Sequence, residues 1–480
     1  MQDTFYWHDY ETWGVSPSID GPSQFAGVRT DMDLNIIGEP LVIYNQPALD
    51  RLPHPQACAI TCITPQTALE QGVPEREFAR LIHDELNQAN TCSVGYNSFQ
   101  FDDEVTRHML YRNFYPVYDR EWKQGNSRWD LIDVMRMCFA LRPDGIEWPI
   151  NEKGVISFKL EHLSKANGLL HEKAHDALSD VEATIALAKL LKETKPRLFD
   201  YAFKLRDKKK AAQQLDVFNR RPVLYTSAYF PVEQGCTSLV MPLATHPTNK
   251  NAIIALDLMH SPTDVLRADA HAIADNLYRK RDQRELSLPL VTIAINKSPM
   301  LSPVKLLDDT LQQRLNIDME QCQQHAQAVL DADRALLDLK LSTVFKRTAD
   351  STDAVERVVD EQLYGGGFFS MQDVAHCETV QLADEAAWST GLPMFQDERL
   401  NDLKWRYQAR HFPHTLNTEQ QAEWLAYCLN NPNAPVSAKE LSVDEYIAHI
   451  DALPESHRHL QAPLRDWLVV REQIIQQRYG

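Results

Sequence analysis

At 480 residues the chain is longer than one hydrophobic core serves, and about 100–200 residues per domain predicts three units. Apolar residues make up 44% and charged residues 24%, an ordinary globular balance, and no apolar run approaches the ~20 residues that cross a bilayer. The net charge of −18 excludes a uniformly basic surface, and eight cysteines without a C-x-x-C pair point to reduced thiols rather than disulfides or a zinc site.

In chain order, Thr4-Phe5-Tyr6-Trp7-His8 predicts a buried strand ending at Asp9, and the acids that follow leave no apolar leader, so the expected location is the cytoplasm with no membrane association. Gln24–Arg29 and Leu41–Tyr44 predict two further strands of an antiparallel meander. Gln66–Leu86 has helical spacing, and Cys92–Tyr96 returns to strand. Helices are expected over Asp102–Tyr111, Leu131–Leu141, Lys159–Asn167 and Leu178–Leu191. Strands followed by alternating helices predict a mixed α/β domain with a central sheet.

The last of these helices stops before Pro196, which sets the first boundary. Between residues 220 and 305, short β-branched pieces such as Val223-Leu224-Tyr225 and Ala252-Ile253-Ile254 predict a small β-barrel with inserted helices. From about Thr352 the pattern is almost wholly helical. The expected domains are therefore 1–195, 196–350 and 351–480. Lys and Arg number 18 against 29 Asp and Glu over 1–195, 20 against 17 over 196–346, and 11 against 21 over 347–480. Only the middle third, with Arg206, Lys208–Lys210, Arg220, Arg221 and Arg279–Arg281, escapes a negative balance.

Three sparse motifs carry chemistry. Asp9 and Glu11 lie two apart after an apolar strand, where extended geometry puts both carboxylates on one face. Gly95-Tyr96-Asn97-Ser98-Phe99-Gln100-Phe101-Asp102 delivers a third acid at a helix start, where Asp also serves as an ordinary cap. His175-Asp176-Ala177-Leu178-Ser179-Asp180 opens the last helix of the first ~190 residues. Each alone has a bland reading as a surface turn, a cap or a solvated histidine.

Together, in this order, D-x-E, N-x-x-F-D and H-x-x-x-x-D resemble the DEDD exonuclease superfamily in its histidine-bearing subclass. Phe5–Thr12, Phe101–Arg107, Asn126–Leu131 and Leu141–Ile146 resemble the bacterial exodeoxyribonuclease I family. So do Leu363-Tyr364-Gly365-Gly366-Gly367-Phe368-Phe369 and Arg406–Pro413, far outside the first unit. The resemblance implies an RNase H-like α/β exonuclease domain, an SH3-like β-barrel and an α-helical C-terminal domain. It implies 3′→5′ hydrolysis of single-stranded DNA to 5′-mononucleotides by two Mg²⁺ ions, with Mn²⁺ as a substitute, in DNA repair and recombination. Asp9 would bridge the metals, Glu11 and Asp180 would complete the site of the metal carrying the attacking water, and Asp102 would help hold the other. His175, with an ordinary pKa of ~6.5, would take the water's proton.

Single-stranded DNA is the expected substrate, held beside the more basic barrel, with Tyr10, Phe101 and Trp129 as candidate base-stacking aromatics whose simpler role is the core. By the same resemblance a monomer is expected, together with a second partner, the acidic C-terminal tail of the single-stranded DNA-binding protein, with Arg142 and Tyr201 as the residues receiving it. The competing readings are a proofreading or short-RNA nuclease of the same superfamily and a non-catalytic repair scaffold. One departure stands out. Members of the superfamily often carry Ile-Thr-Gly-Ile-Thr, whereas this chain has Ile60-Thr61-Cys62-Ile63-Thr64.

Overall fold

Phe5, Tyr6, Trp7 and His8 are all buried, on both faces of the strand they form. That follows from position. The strand, β1 (Thr4–Thr12), is followed by β2 (Pro22–Thr30), β3 (Leu41–Tyr44), β4 (Thr91–Gly95) and β5 (Ser127–Asp130), and the sheet order is β3-β2-β1-β4-β5. β1 runs antiparallel to β2 and parallel to β4, so it has a neighbour on each side and tolerates a continuous apolar run. Gly27 of β2 leaves the space that the Tyr6 ring fills, since a Cβ there would meet the Tyr6 hydroxyl at 2.2 Å.

The structure, a computed structural model, describes residues 3–169, 176–346, 358–429 and 441–480. It divides into two compact units: Met1–Ser127, His171–Glu182 and Asp353–Gly480 in the first, Arg128–Leu170 and Ala183–Thr352 in the second. Among the described residues no helix is long and apolar enough to cross a membrane, and all eight cysteines are free thiols.

The helices that follow β3 are α1 (Pro55–Thr61), α2 (Pro65–Gln71), α3 (Glu75–Leu86), α4 (Asp102–Arg112), α5 (Leu131–Leu141), α6 (Leu160–Ala166), α7 (Ala177–Thr194) and α8 (Pro196–Lys204). Several elements differ from the sequence reading. β1 does not end at Asp9 but continues to Thr12, because Asp9 and Glu11 pair with Ala26 and Gln24 and keep their backbone groups in the ladder. The helical run Gln66–Leu86 is two helices, broken where Val73 donates its N–H to the Tyr44 carbonyl and Pro74 caps the next helix without a donor of its own. Pro55–Thr61, given no element from the sequence, is α1. It ends at Cys62, whose φ of 58° is left-handed, the conformation that glycine adopts most cheaply.

The C-terminal segment of the first unit is helical among its described residues, from Met371–Leu382 to Gln461–Tyr479. It builds one core with the sheet. Tyr6, Phe25, Phe78 and Met109 pack in the same cluster as Val359, Leu363, Leu403 and Tyr407, and Cys58 and Ala59 of α1 pack with Tyr446, Ile450 and Trp467. A buried ionic cluster ties the same two chain segments. Arg410 holds Asp50 with Nη2–Oδ2 at 2.7 Å and Asp360 with Nη1–Oδ1 at 2.6 Å. Arg51 and Arg406 reach Asp360 at 3.2 and 3.4 Å.

In the second unit β6 (Val223–Thr226), β7 (Thr237–Thr245), β8 (Ala252–Asp257), β9 (Leu290–Ala294) and β10 (Met300–Ser302) form an antiparallel sheet of order β10-β6-β7-β8-β9. Val223, Val240, Ile253, Val291, Ile293 and Leu301 fill its core, as the β-branched pieces of the sequence predict.

Candidate active site

Two positions apart on β1, Asp9 and Glu11 face the same way, and the ladder to β2 fixes them opposite Ala26 and Gln24. Asp102 is the first residue of α4 and Asp180 lies in the first turn of α7, where the positive end of each helix dipole favours a carboxylate. One carboxylate oxygen each from Asp9, Glu11 and Asp180 lies within 4.8 Å of the other two. Asp102 stands beside them, its Oδ1 accepting the Tyr10 N–H at 3.3 Å, on the peptide between the two β1 acids.

Local devices bring these side chains in. Gly95 ends β4 in a turn so tight that an added Cβ would lie 2.6 Å from the Ser98 Cβ, and Asn97 takes a φ of 66°. The Asp103 N–H then donates to the Ser98 carbonyl at 3.0 Å, which starts α4 with Asp102 toward β1. The Thr106 hydroxyl bonds the Asp102 carbonyl and the Tyr10 hydroxyl, at 2.8 and 3.0 Å, locking α4 to β1. On α7, Asp176 caps the helix by accepting the Ser179 N–H at 3.2 Å, and the buried Gln24 Oε1 accepts the Ala177 N–H at 3.3 Å. Gln24 thus joins β2, opposite Glu11, to the helix carrying Asp180. Sequence reasoning missed it. Its signal was a polar residue in a buried strand, and only the register shows that it faces the acids.

The electrostatics of the cluster are those of like charges in a dry place. Burial, and then Asp102, Glu11 and Asp180, hold the Asp9 carboxyl well above the usual carboxylate range. Glu11 is pushed up to about 8 by burial, followed by Asp180, Asp102 and Asp176. No lysine or arginine is among the causes for either group. A set of hard oxygen donors converging on one place fits a hard divalent cation.

His175 lies outside the described residues. Tyr10 and Trp129 are buried, Tyr10 against Phe25 and Trp129 between Phe199 and Phe203, and Phe101 packs partly buried on the core cluster. Their place is in the core rather than on an open stacking surface. Arg142 and Tyr201 belong to the second unit. Arg142 is exposed at the end of α5, its N–H donating to the Cys138 carbonyl at 2.8 Å. Tyr201, half-buried on α8, donates its hydroxyl to the Leu301 carbonyl at 3.0 Å.

Comparison with known proteins agrees along the whole chain. Residues 6–188 match the family model described as exonuclease, 206–347 the exonuclease I SH3-like domain and 357–468 the exonuclease I C-terminal domain. Exodeoxyribonuclease I of Escherichia coli K12 is 44% identical over 430 residues, 89% of each chain. That of Haemophilus influenzae is 42% identical over 463 residues, covering 95% of this chain and 94% of its own. Among solved structures, the zinc-bound E. coli exonuclease I complex with single-stranded DNA superimposes with a TM-score of 0.89 at 39% identity, covering 98% of this chain and all of that one. The structure of SSB/exonuclease I with the inhibitor CFAM gives the same TM-score, identity and coverage. With three family models in order and relatives above 40% identity over most of the sequence, the chain belongs to the exodeoxyribonuclease I family and is an exonuclease.

Proposed function

We propose that this exonuclease removes 5′-mononucleotides from the 3′ end of single-stranded DNA by a two-metal mechanism, as a cytoplasmic monomer serving DNA repair and recombination. One observation carries the reading: Asp9, Glu11 and Asp180 bring an oxygen each within 4.8 Å, with Asp102 alongside. The E. coli enzyme, crystallised with single-stranded DNA and zinc, supports it. The carboxylate set suits Mg²⁺, with Mn²⁺ as a substitute. Bound there, two such ions would activate a water, neutralise the phosphoryl oxygens and stabilise the leaving 3′-oxygen.

The chain supplies the frame. Asp9, Glu11, Asp102 and Asp180 would hold the ions, with Asp9 common to both, Glu11 and Asp180 serving the one that activates the water and Asp102 the other. His175, which precedes α7 in the sequence, would accept the water's proton. The exposed Lys208, Lys209, Lys210, Arg279 and Lys280 of the second unit offer phosphate contacts that the acidic first 195 residues lack. The functional division remains 1–195 for catalysis, 196–350 for the SH3-like domain and 351–480 for the helical domain.

The second partner is the acidic C-terminal tail of the single-stranded DNA-binding protein, received by Arg142 and Tyr201. Arg314 strengthens that reading. Its guanidinium donates to the Phe139 carbonyl, and its pKa is held below the ordinary arginine value by burial, against the pull of Asp144 and with Arg142 adding to the depression. Two neighbouring guanidinium groups welcome a carboxylate.

The deciding experiment presents 5′- and 3′-labelled single strands, duplex DNA and RNA side by side in Mg²⁺ and in EDTA. Shortening of the single DNA strand from its 3′ end, abolished by EDTA, is expected; equal digestion of RNA or duplex overturns the substrate. His175→Ala is expected to bind metal normally and lose ~10²–10⁴-fold in turnover.

A further inference from the structure

Two of the segments quoted for the family resemblance, Phe101–Arg107 and Leu363–Phe369, lie some 260 residues apart, and only the first carries a candidate metal ligand. The structure joins them. The Tyr364 hydroxyl donates to Glu104 Oε2 at 2.6 Å, and Arg107 Nη1 donates to the Tyr364 oxygen at 3.3 Å and to Glu104 Oε1 at 2.6 Å. Arg107 also grips Glu121 with two parallel bonds, Nε–Oε1 at 2.8 Å and Nη2–Oε2 at 3.0 Å. The next residue, His108, meets the Asp360 carbonyl at 3.3 Å and the Tyr364 ring edge-on at 5.8 Å.

These partners occupy one side of α4. Its opposite side is held by β1, through the Tyr10 N–H on Asp102 and the Thr106 hydroxyl on Tyr10. The first turn is where a helix frays most readily, because its N–H groups have no partners within the helix. Phe101 at the N-cap supplies no side-chain acceptor. The carboxylate of Asp102 therefore sits on a turn without a side-chain cap from Phe101, started by the Asp103 N–H on the Ser98 carbonyl and stiffened by Arg120 on Asp103, at 2.7 Å, and by Tyr364 and Arg107 on Glu104.

We propose that Tyr364 of the C-terminal segment is a positioning residue for the metal site: by holding Glu104 and Arg107 it fixes the first turn of α4 and so the orientation of Asp102. The proposal rests on the reading of Asp102 as a metal ligand. Groups that orient ligands typically contribute ~10–100-fold in metal affinity, and Tyr364 acts one step further out through a hydroxyl that is 55% exposed as a residue, so an effect of about 3–10-fold is expected.

The test uses the full chain and Mn²⁺, with binding read by calorimetry and by the electron paramagnetic resonance of free Mn²⁺. Tyr364→Phe and Glu104→Gln are each expected to weaken Mn²⁺ binding about 3–10-fold. The double variant should be no weaker than the poorer single one, because both remove the same link. Turnover should fall at limiting metal and recover when metal is raised, with KM for DNA unchanged. Glu104→Gln keeps the shape of the side chain, so it decides the question if Tyr364→Phe folds poorly. Wild-type Mn²⁺ affinity in both singles overturns the proposal, as does a raised KM with unaltered metal binding, which would make Tyr364 a DNA contact. Asp102→Asn separates the two layers. If it also binds Mn²⁺ like wild type, the ligand reading has failed; if it alone binds weakly, only the positioning role has.

Discussion

Two clusters of buried acids lie in the same compact unit and have opposite electrostatics. At Asp50 and Asp360 burial opposes the charged form, yet Arg410 and Arg51 outweigh it. Asp50 is held down at about 2, and Asp360, which Arg406 also reaches, is held well below the usual range. At Asp9 and Glu11 burial and neighbouring acids act in the same direction, and both carboxyls are pushed up, Glu11 to about 8. The first cluster is complete as the chain folds, with three arginines on two acids. In the second, the groups that act on Asp9 and Glu11 are further acids. A protein keeps buried like charges together where their interaction with something else is the function.

The largest expected effect breaks the second cluster. Asp9→Ala or Asp180→Ala should lose at least ~10²-fold in turnover, while the thermal midpoint in EDTA stays level or rises because a repelling charge is gone. Near-wild-type turnover in a folded Asp9→Ala protein removes the metal assignment. Breaking the first cluster should do the reverse. Asp360→Ala leaves arginines buried without their acid and should cost ~3–5 kcal/mol in denaturant unfolding, with Mn²⁺ affinity per folded molecule held within about the range expected of a distant change. A loss well under 1 kcal/mol would show that water already relieves the cluster.

The contrast sharpens with pH. Glu11 has a folded pKa of about 8 against an ordinary 4.5, so the folded state binds the extra proton between those values. Stability of the metal-free protein should then be fullest below 4.5 as far as this group is concerned, and fall as pH rises through 8. Asp50, depressed to about 2, contributes stability above its ordinary 3.8 that is lost as pH falls toward 2. Midpoints measured in EDTA should therefore decline by a few degrees from pH 5 to 8, and Mg²⁺ should restore more at pH 8 than at pH 6. Equal stabilisation by Mg²⁺ at both values contradicts a site loaded with repelling carboxylates. The smallest effect lies outside both clusters. Cys62→Gly relieves a left-handed residue at the end of α1 and should stabilise by up to ~1 kcal/mol without changing turnover; a loss of stability would mean that the Cys62 side chain contributes more than its backbone costs.

The sequence made much of this visible and hid the rest for definable reasons. β2, β3, α4, α5 and the strands β6, β7, β8 and β9 follow from apolar period and turn residues, which act over a few positions. Pro74 was a breaker inside a helical period, and it won because its ring and missing donor outweigh periodicity. The end of β1 was misplaced because acids ordinarily mark a strand's edge, whereas here the ladder to β2 carries them. For Tyr10 and Trp129 the structure shows the core role that was the simpler of the two readings, where ring area is worth most.

What the sequence determined by itself was the chemistry on offer: the carboxylates of Asp9, Glu11, Asp102 and Asp180, a middle third with a slightly positive balance, and the family to which the motifs belong. Tertiary structure alone decided the grouping and the support of those acids, and the upward shift of Asp9 and Glu11. Whether a buried acid is paired depends on which residues meet across hundreds of positions, as Asp50 meets Arg410 and Glu104 meets Tyr364. Periodicity and local propensity carry no record of such meetings, because the free energy that makes them is set by burial and Coulomb distance in the folded state rather than by neighbours along the chain.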